Sequence, residues 1–274
     1  MNRLFVAYKP SGLSSNHFLG RLKRKYKMKK AGFSGTLDPF AKGVLIIALG
    51  NATRLFRFLD KTPKSYRATL WLGAHSDTLD IEGVEQIDEL APFETAELER
   101  VIASLQGELS YLPPKFSAKK IAGKRAYDLA RSGEEVTLRP ITSTIYDIKM
   151  LHYCHPFVTF EATVSEGTYI RSLGKLIAEK LGTKGGALSA LERLREGQFC
   201  YNNENALDIR RHLALEPIVF YGSREDLFFG RPLKYEDFEE KPDGTYWIDN
   251  AETISIVALE DKKVTYILNK VEVC

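Results

Sequence analysis

Asp38 lies in the stretch Ala31-Gly-Phe-Ser-Gly-Thr-Leu-Asp-Pro-Phe-Ala-Lys-Gly43, with two glycines before it and one after it. Glycine lets a backbone turn tightly and approach a ligand closely, so Gly35 is a candidate point of ligand contact. Pro39 fixes its own φ and moves Asp38 out of the helical region, so a stiff turn projects the carboxylate. A carboxylate presented in this way can serve as a nucleophile. Most Asp-Pro pairs, however, are turn residues whose carboxylate bonds its own backbone, and the turn alone leaves both readings open.

Arg171, in Glu166-Gly-Thr-Tyr-Ile-Arg-Ser-Leu173, falls in the first turn of an expected helix among the apolar Tyr169, Ile170 and Leu173. A cation there opposes the helix dipole, at a cost of several tenths of a kcal/mol. The position makes sense if the guanidinium pairs with a partly buried carboxylate. The alternative is a side chain that snorkels to water. Arg21 to Lys30 holds seven Lys or Arg in ten residues, and Lys115 to Arg131 holds six basic residues against one acidic, with Phe116 and Tyr127 among them. Such runs are solvated faces or RNA-phosphate contacts. His152-Tyr-Cys-His155 has no second cluster to complete a tetrahedral metal set and reads as a strand end closed by Pro156.

Several elements must position these groups. Leu4 to Lys9 reads as a strand, and Ser14 or Ser15 can cap a helix with Phe18, Leu19, Leu22 and Tyr26 at helical spacing. Gly43 to Gly50 is a glycine-bounded apolar run, hence a buried strand, and a helix is expected through Leu55, Phe58 and Leu59. Ser65 to Leu72 alternates, with Tyr66, Ala68, Leu70 and Leu72 on one face. Leu98, Val101, Ile102 and Leu105 mark a helix starting near Thr95. Ile141 to Tyr153 and Phe157 to Val164 form an expected antiparallel pair, and Thr168 to Leu181 a helix stopped by Gly182. Gly182 to Gly186 reads as a turn. Residues 245–249, 253–260 and 263–273 read as strands of a small β unit that needs the body to be stable.

The chain has 274 residues, 44% hydrophobic and 27% charged, as in an ordinary globular protein. No run of 18 apolar residues exists, so no membrane span is expected. The three cysteines, Cys154, Cys200 and Cys274, encode no disulfide framework and suggest a reducing, cytoplasmic compartment. The net charge of +3 hides an asymmetry: residues 1–200 carry 30 basic and 21 acidic side chains, and residues 201–274 carry 9 and 15. A polyanion is the expected partner of the first part. There is no P-loop and no dinucleotide fingerprint. The class is α+β with a mixed, mostly antiparallel sheet.

Eight segments in order resemble the TruB-type tRNA pseudouridine-55 synthases. They are Lys9-Pro-Ser-Gly-Leu-Ser-Ser15, Gly35-Thr-Leu-Asp-Pro-Phe-Ala-Lys-Gly-Val-Leu45, Lys64-Ser-Tyr-Arg67, Gly73-Ala-His-Ser-Asp-Thr-Leu-Asp80, Pro113-Pro-Lys-Phe-Ser-Ala-Lys119, Gly123-Lys-Arg-Ala-Tyr-Asp-Leu-Ala-Arg-Ser-Gly133, Gly167-Thr-Tyr-Ile-Arg171 and Leu191-Glu-Arg-Leu-Arg-Glu-Gly197. The resemblance covers roughly residues 1–200. It implies a pseudouridine synthase catalytic domain over 1–205, with an RNA-gripping insertion at about 107–140, and a shortened PUA-like β domain over 206–274.

The reaction it implies converts uridine to pseudouridine in the T-loop of tRNA, without cofactor or metal, by a monomer with no obligatory protein partner. Asp38 is then the nucleophile, attacking uracil C6 or ribose C1′. Tyr66 stacks on the base and acts in proton transfer, and Arg171 pairs with Asp38. Leu191 packs on the flipped base, and Asp77 makes a polar substrate contact. Lys115, Lys119, Lys124 and Arg125 belong to the gripping insertion. Lys9, with Ser14 and Ser15, touches RNA phosphate or supports the nucleophile loop. Phe33 stands where the family usually has histidine and can still stack. Glu192 replaces a common arginine. The net charge of −6 over 201–274 makes that part a poor phosphate binder, and its removal is expected to weaken RNA binding more than chemistry. Two alternatives are a non-catalytic RNA-binding or RNA-folding module on the same fold, and a synthase acting on guide-selected uridines within an RNA–protein particle.

Overall fold

The computed structural model describes residues 2–116, 120, 121, 124, 125 and 138–272. In chain order the described elements begin with β1 (Arg3–Lys9), α1 (Ser15–Lys25), β2 (Ala31–Phe33) and β3 (Lys42–Leu49). A 3-10 helix (Gly50–Phe58), β4 (Lys64–Leu72), β5 (Ala74–Ser76), β6 (Val84–Ile87), α2 (Thr95–Ala103) and β7 (Gly107–Tyr111) follow. Then come β8 (Lys120–Ile121), β9 (Lys124–Arg125), β10 (Ile141–Cys154), β11 (Phe157–Val164), α3 (Ile170–Lys180) and β12 (Gly186–Glu196). The last part holds β13 (Glu216–Pro217), α4 (Arg224–Phe229), β14 (Gly244–Asn250), β15 (Thr253–Glu260) and β16 (Lys263–Glu272). No helix among the described residues is long and apolar enough to cross a membrane.

The main sheet has the order β1-β3-β12-β4-β11-β10-β7, with β2 added beside β3. All its pairings are antiparallel except β12 with β3. The alternation of Ser65 to Leu72 does what period 2 requires. Tyr66, Ala68, Leu70 and Leu72 are buried in one cluster with Ile170, Leu173 and Ile177 of α3 and Phe160 of β11. Phe18, Leu19 and Leu22 of α1 bury against Phe5, Leu45 and Ile47, and Ser14 caps the helix by accepting from the His17 amide.

Two local expectations change, and one strand enters that the sequence did not announce. The helix after Gly50 is a 3-10 helix, and its basic and aromatic residues leave only Gly50, Ala52 and Leu55 buried. α3 begins at Ile170 rather than at Thr168, which keeps Arg171 in its first turn. Most consequential is β12. Residues 186–196, whose charge-rich end carries no strand signal, form a central strand inserted between β3 and β4. Its parallel register sets Glu192 opposite Lys42 and Arg193 opposite Gly43, while its other edge sets Arg193 opposite Tyr66 and Glu196 opposite Lys64. A strand late in the sequence thus joins the two segments that carry Asp38 and Tyr66.

The second sheet, β13-β14-β15-β16, does not stand apart. Ile254, Ile256, Leu268 and Val271 share one apolar cluster with Leu4, Val6, Val44 and Ile46 of β1 and β3.

Candidate active site

The turn bearing Asp38 is held from behind by the segment that follows β1. The Ser15 hydroxyl accepts from the Leu37 amide and donates to the Leu37 carbonyl, both at 2.9 Å. The Gly12 amide donates to Pro39 O at 2.9 Å and the Ser11 hydroxyl to Phe40 O at 2.8 Å. Lys9 is 0% exposed, and its ammonium donates to the carbonyls of Leu13 (2.6 Å), Pro10 (3.0 Å) and Pro39 (3.3 Å). Burial lowers its pKa to about 8, opposed by the nearby Asp38 charge. A lysine enclosed in this way does not meet RNA phosphate. Of its two expected roles, the geometry corresponds to support of the turn.

Arg171 is 5% exposed and directs its guanidinium at four acceptors. Its Nε lies 3.0 Å from Asp38 Oδ2. Its Nη1 donates to Thr78 O at 2.7 Å and to Asp80 Oδ2 at 3.3 Å, and its Nη2 donates to Phe116 O at 2.8 Å. The arginine thus meets the carboxylate expected for it through one nitrogen, while the rest of the fork ties it to two other segments. Its place at a helix N-terminus is offset by these acceptors, two of which are carboxylates.

The Asp38 side chain is 35% exposed. Burial is nevertheless the largest influence on it and raises its pKa; Arg171 opposes the rise, Asp80 adds to it and Lys9 lowers it, leaving a net increase above 3.8. The carboxyl opens into a cavity of about 300 Å³ whose lining includes Gly35, Asp38, Lys64, Tyr66, Arg171 and Leu191. Two residues on neighbouring strands, Tyr66 on β4 and Leu191 on β12, add an aromatic ring and an apolar wall to a site whose charged lining is Asp38, Glu166, Lys64, Arg171 and Arg193.

A family model described as TruB family pseudouridylate synthase (N terminal domain) matches residues 23–170. A curated relative from Sulfurimonas denitrificans, called tRNA pseudouridine synthase B, is 60% identical over 272 residues, covering 99% of this chain and 100% of the relative. One of the same name from Campylobacter jejuni is 50% identical over 274 residues, covering all of both chains. This chain belongs to the TruB family of pseudouridylate synthases. Its activity is therefore that of an isomerase. A solved Cbf5-Nop10-Gar1 complex contains a chain of the same fold, with TM-score 0.67 and 21% identity over 99% of this chain and 84% of that one. A structure of an H/ACA RNP bound to a substrate RNA gives TM-score 0.63 at 20% identity, covering 99% of this chain and 84% of that one.

Within this TruB-family chain, the expected site residues divide by position. Asp38, Tyr66, Arg171, Leu191 and Gly35 come together around one cavity. Phe33 does not line it: the ring sits on edge strand β2 and packs against the α1 cluster with Tyr26 and Met28. Asp77 is exposed, and the carboxylate of its segment that reaches Arg171 is the buried Asp80. Lys115 is exposed outside the cavity lining. Lys119 lies outside the described residues, and of Lys124 and Arg125 only the backbone is described, paired with Ile121 and Lys120.

The sequence alone did not single out Lys64, Asp80, Arg193 and Glu196 as parts of this region. For Asp80 there was a usable signal. An Asp two residues before a backbone N–H can cap a short turn, and Asp80 Oδ1 does so by accepting from the Glu82 amide at 3.0 Å. Its other oxygen is then left to face Arg171.

Proposed function

We propose that this chain isomerises a uridine of tRNA, at position 55 in the T-loop, to pseudouridine, with Asp38 as the covalent nucleophile. The observation that carries the reading is the 3.0 Å pair between Asp38 Oδ2 and Arg171 Nε at the wall of the cavity shared with Tyr66. The isomerisation breaks the C1′–N1 bond, forms C1′–C5, moves a proton off C5 and leaves one on N1. Atoms and electrons balance within the nucleoside. Attack by Asp38 on either uracil C6 or ribose C1′ needs an ionised carboxylate, and Arg171 favours that form against the burial that disfavours it.

The target atoms are inaccessible in a stacked base, so the nucleotide must leave its stack, at a cost of a few kcal/mol. Stacking on Tyr66, worth about 1–3 kcal/mol, offsets much of this, and Leu191 closes the other side. Tyr66 is also placed to take part in moving the C5 proton. In this reading the chain works as a monomer in the cytoplasm, and the basic segment Lys115 to Arg131 grips the T-arm. Residues 1–205 form the catalytic domain. The acidic 206–274 part is a PUA-like unit whose packing on β1 and β3 supports that domain.

Purified protein and a T-arm transcript, with nothing else added, should yield pseudouridine at the T-loop position on chemical mapping. Asp38→Asn should abolish product while leaving RNA affinity within about threefold, because phosphate contacts dominate binding. Substantial turnover by that variant would remove Asp38 from the role of nucleophile.

A further inference from the structure

At one wall of the cavity, where Lys64 and Arg193 line it, lies a cluster of buried charges that the proposed reaction does not use. Glu196, at the end of β12, is 0% exposed. Its Oε1 accepts from the Ser34 hydroxyl at 2.8 Å and lies 3.3 Å from Nζ of Lys64. Its Oε2 lies 3.3 Å from Nη2 of Arg193 but is not hydrogen-bonded, so charge alone holds that pair. Arg193, itself 1% exposed, donates from Nη2 to Gly35 O at 3.0 Å and from Nε to Val44 O at 2.8 Å. Lys64 also lies 3.3 Å from Glu166, a largely exposed carboxylate.

These bonds meet the chain at two places, Ser34–Gly35 and Val44, and Asp38 lies between them. The eleven residues from 34 to 44 are therefore gripped at both ends by one buried group of side chains. Arg193 has the grip on both ends, and among the described residues Glu196 is the one fully buried anion that balances Arg193 and Lys64. A buried cation that loses its counter-charge draws in water or shifts, and with it the carbonyls it holds. Gly35 has little room for such a shift. Its φ is +61°, and a Cβ there would stand 3.1 Å from Arg193, 3.2 Å from Glu196 and 3.3 Å from Lys64.

We propose that Glu196 is a positioning residue of the nucleophile segment, acting through Ser34, Arg193 and Lys64 to fix Asp38 against the flipped nucleotide. The proposal rests on the functional reading above. It assigns Glu196 no contact with substrate, since the carboxylate is sealed beneath the cavity floor. A displacement of the reacting carboxylate by about 1 Å can cost on the order of 100-fold in rate, so a charge distant from the chemistry can control it.

The test is single-turnover pseudouridine formation by full-length protein on a T-arm transcript, with RNA affinity and thermal unfolding measured on the same samples. Glu196→Gln keeps the shape and removes the charge. Its rate constant, corrected for folded fraction, should fall about 10- to 100-fold while RNA affinity stays within about twofold. Glu196→Asp, which keeps the charge, should recover part of that loss. Ser34→Ala removes one hydroxyl, leaves every charge in place and should slow the same step about 3- to 10-fold. A wild-type rate in folded Glu196→Gln overturns the proposal. If that variant does not fold, a wild-type rate in Ser34→Ala overturns it instead. Absence of product from the unmodified protein would count against the functional reading and not against the clamp.

Discussion

The carboxyl of Asp38 stands between burial and Asp80, which raise its pKa, and Arg171 and Lys9, which lower it, with a net rise above 3.8. Between 3.8 and the raised value the folded chain holds a proton that the unfolded chain has released, so stability falls as pH rises through that window. Asp38→Asn has no such titration. Its urea midpoint should therefore gain on that of the parent as pH is raised from about 4 to 7. The acid limb of the rate should likewise lie above the ordinary aspartate value, since the attacking form is the anion. A variant whose midpoint tracks the parent at every pH would contradict the raised value. The two carboxylates of the Gly73–Asp80 segment can be separated in the same assay. Asp80→Asn removes a counter-charge from the buried Arg171 and should slow turnover by about tenfold or more. Asp77→Asn changes an exposed side chain and should stay within about twofold of the parent. Equal effects from the two would argue against the Arg171–Asp80 pair.

At the scale of elements, the site depends on two close approaches. The segment between β1 and α1 wraps the Asp38 turn, with Lys9, Ser11, Gly12 and Ser15 each bonded to a backbone group of residues 37–40. β12 lies so close to β3 that a Cβ on Gly43, whose φ is +117°, would stand 2.2 Å from the Arg193 carbonyl oxygen. Gly43→Ala must therefore part the two strands as well as adopt an unfavourable φ. We expect a loss of about 2–4 kcal/mol in chemical denaturation, with slower turnover in the folded fraction. A change below about 0.5 kcal/mol would mean that β12 does not pack on β3 as described.

For the whole molecule, the shared apolar cluster ties the C-terminal part to the packing of β1 and β3. Removing residues 206–274 uncovers Leu4, Val6, Val44 and Ile46, all of them within two strands of the Asp38 turn. Each such side chain contributes about 1.5–3 kcal/mol when buried. A chain ending at 205 should accordingly unfold at a markedly lower temperature or aggregate, and lose chemistry and RNA binding together. This differs from the expectation stated from the sequence, in which RNA binding suffers more than chemistry. Thermal unfolding and single-turnover rates of the truncated chain would distinguish the two.

The sequence by itself determined what depends on neighbours along the chain. The alternation in β4, the apolar run of β3, the spacing in α1 and the glycine-flanked Asp38-Pro39 turn are local signals, and the structure contains each of them. The motifs that carry family membership are equally local. The tertiary structure decided which charges are buried, because a charge can be buried only beside partners that arrive from elsewhere. Arg193 finds its acceptors at Gly35 and Val44, and Arg171 finds Asp38, Thr78, Asp80 and Phe116. Lys9, read as a possible phosphate ligand, is enclosed by carbonyls of its own loop and of Pro39. Phe33, read as a stacking ring, is turned toward α1 because β2 joins the edge of β3. The charge-rich residues 192–196 carry no strand signal of their own, yet β12 takes a central place in the sheet. No pattern of period 2 or 3.6 encodes that pairing, since its partners lie more than a hundred residues away.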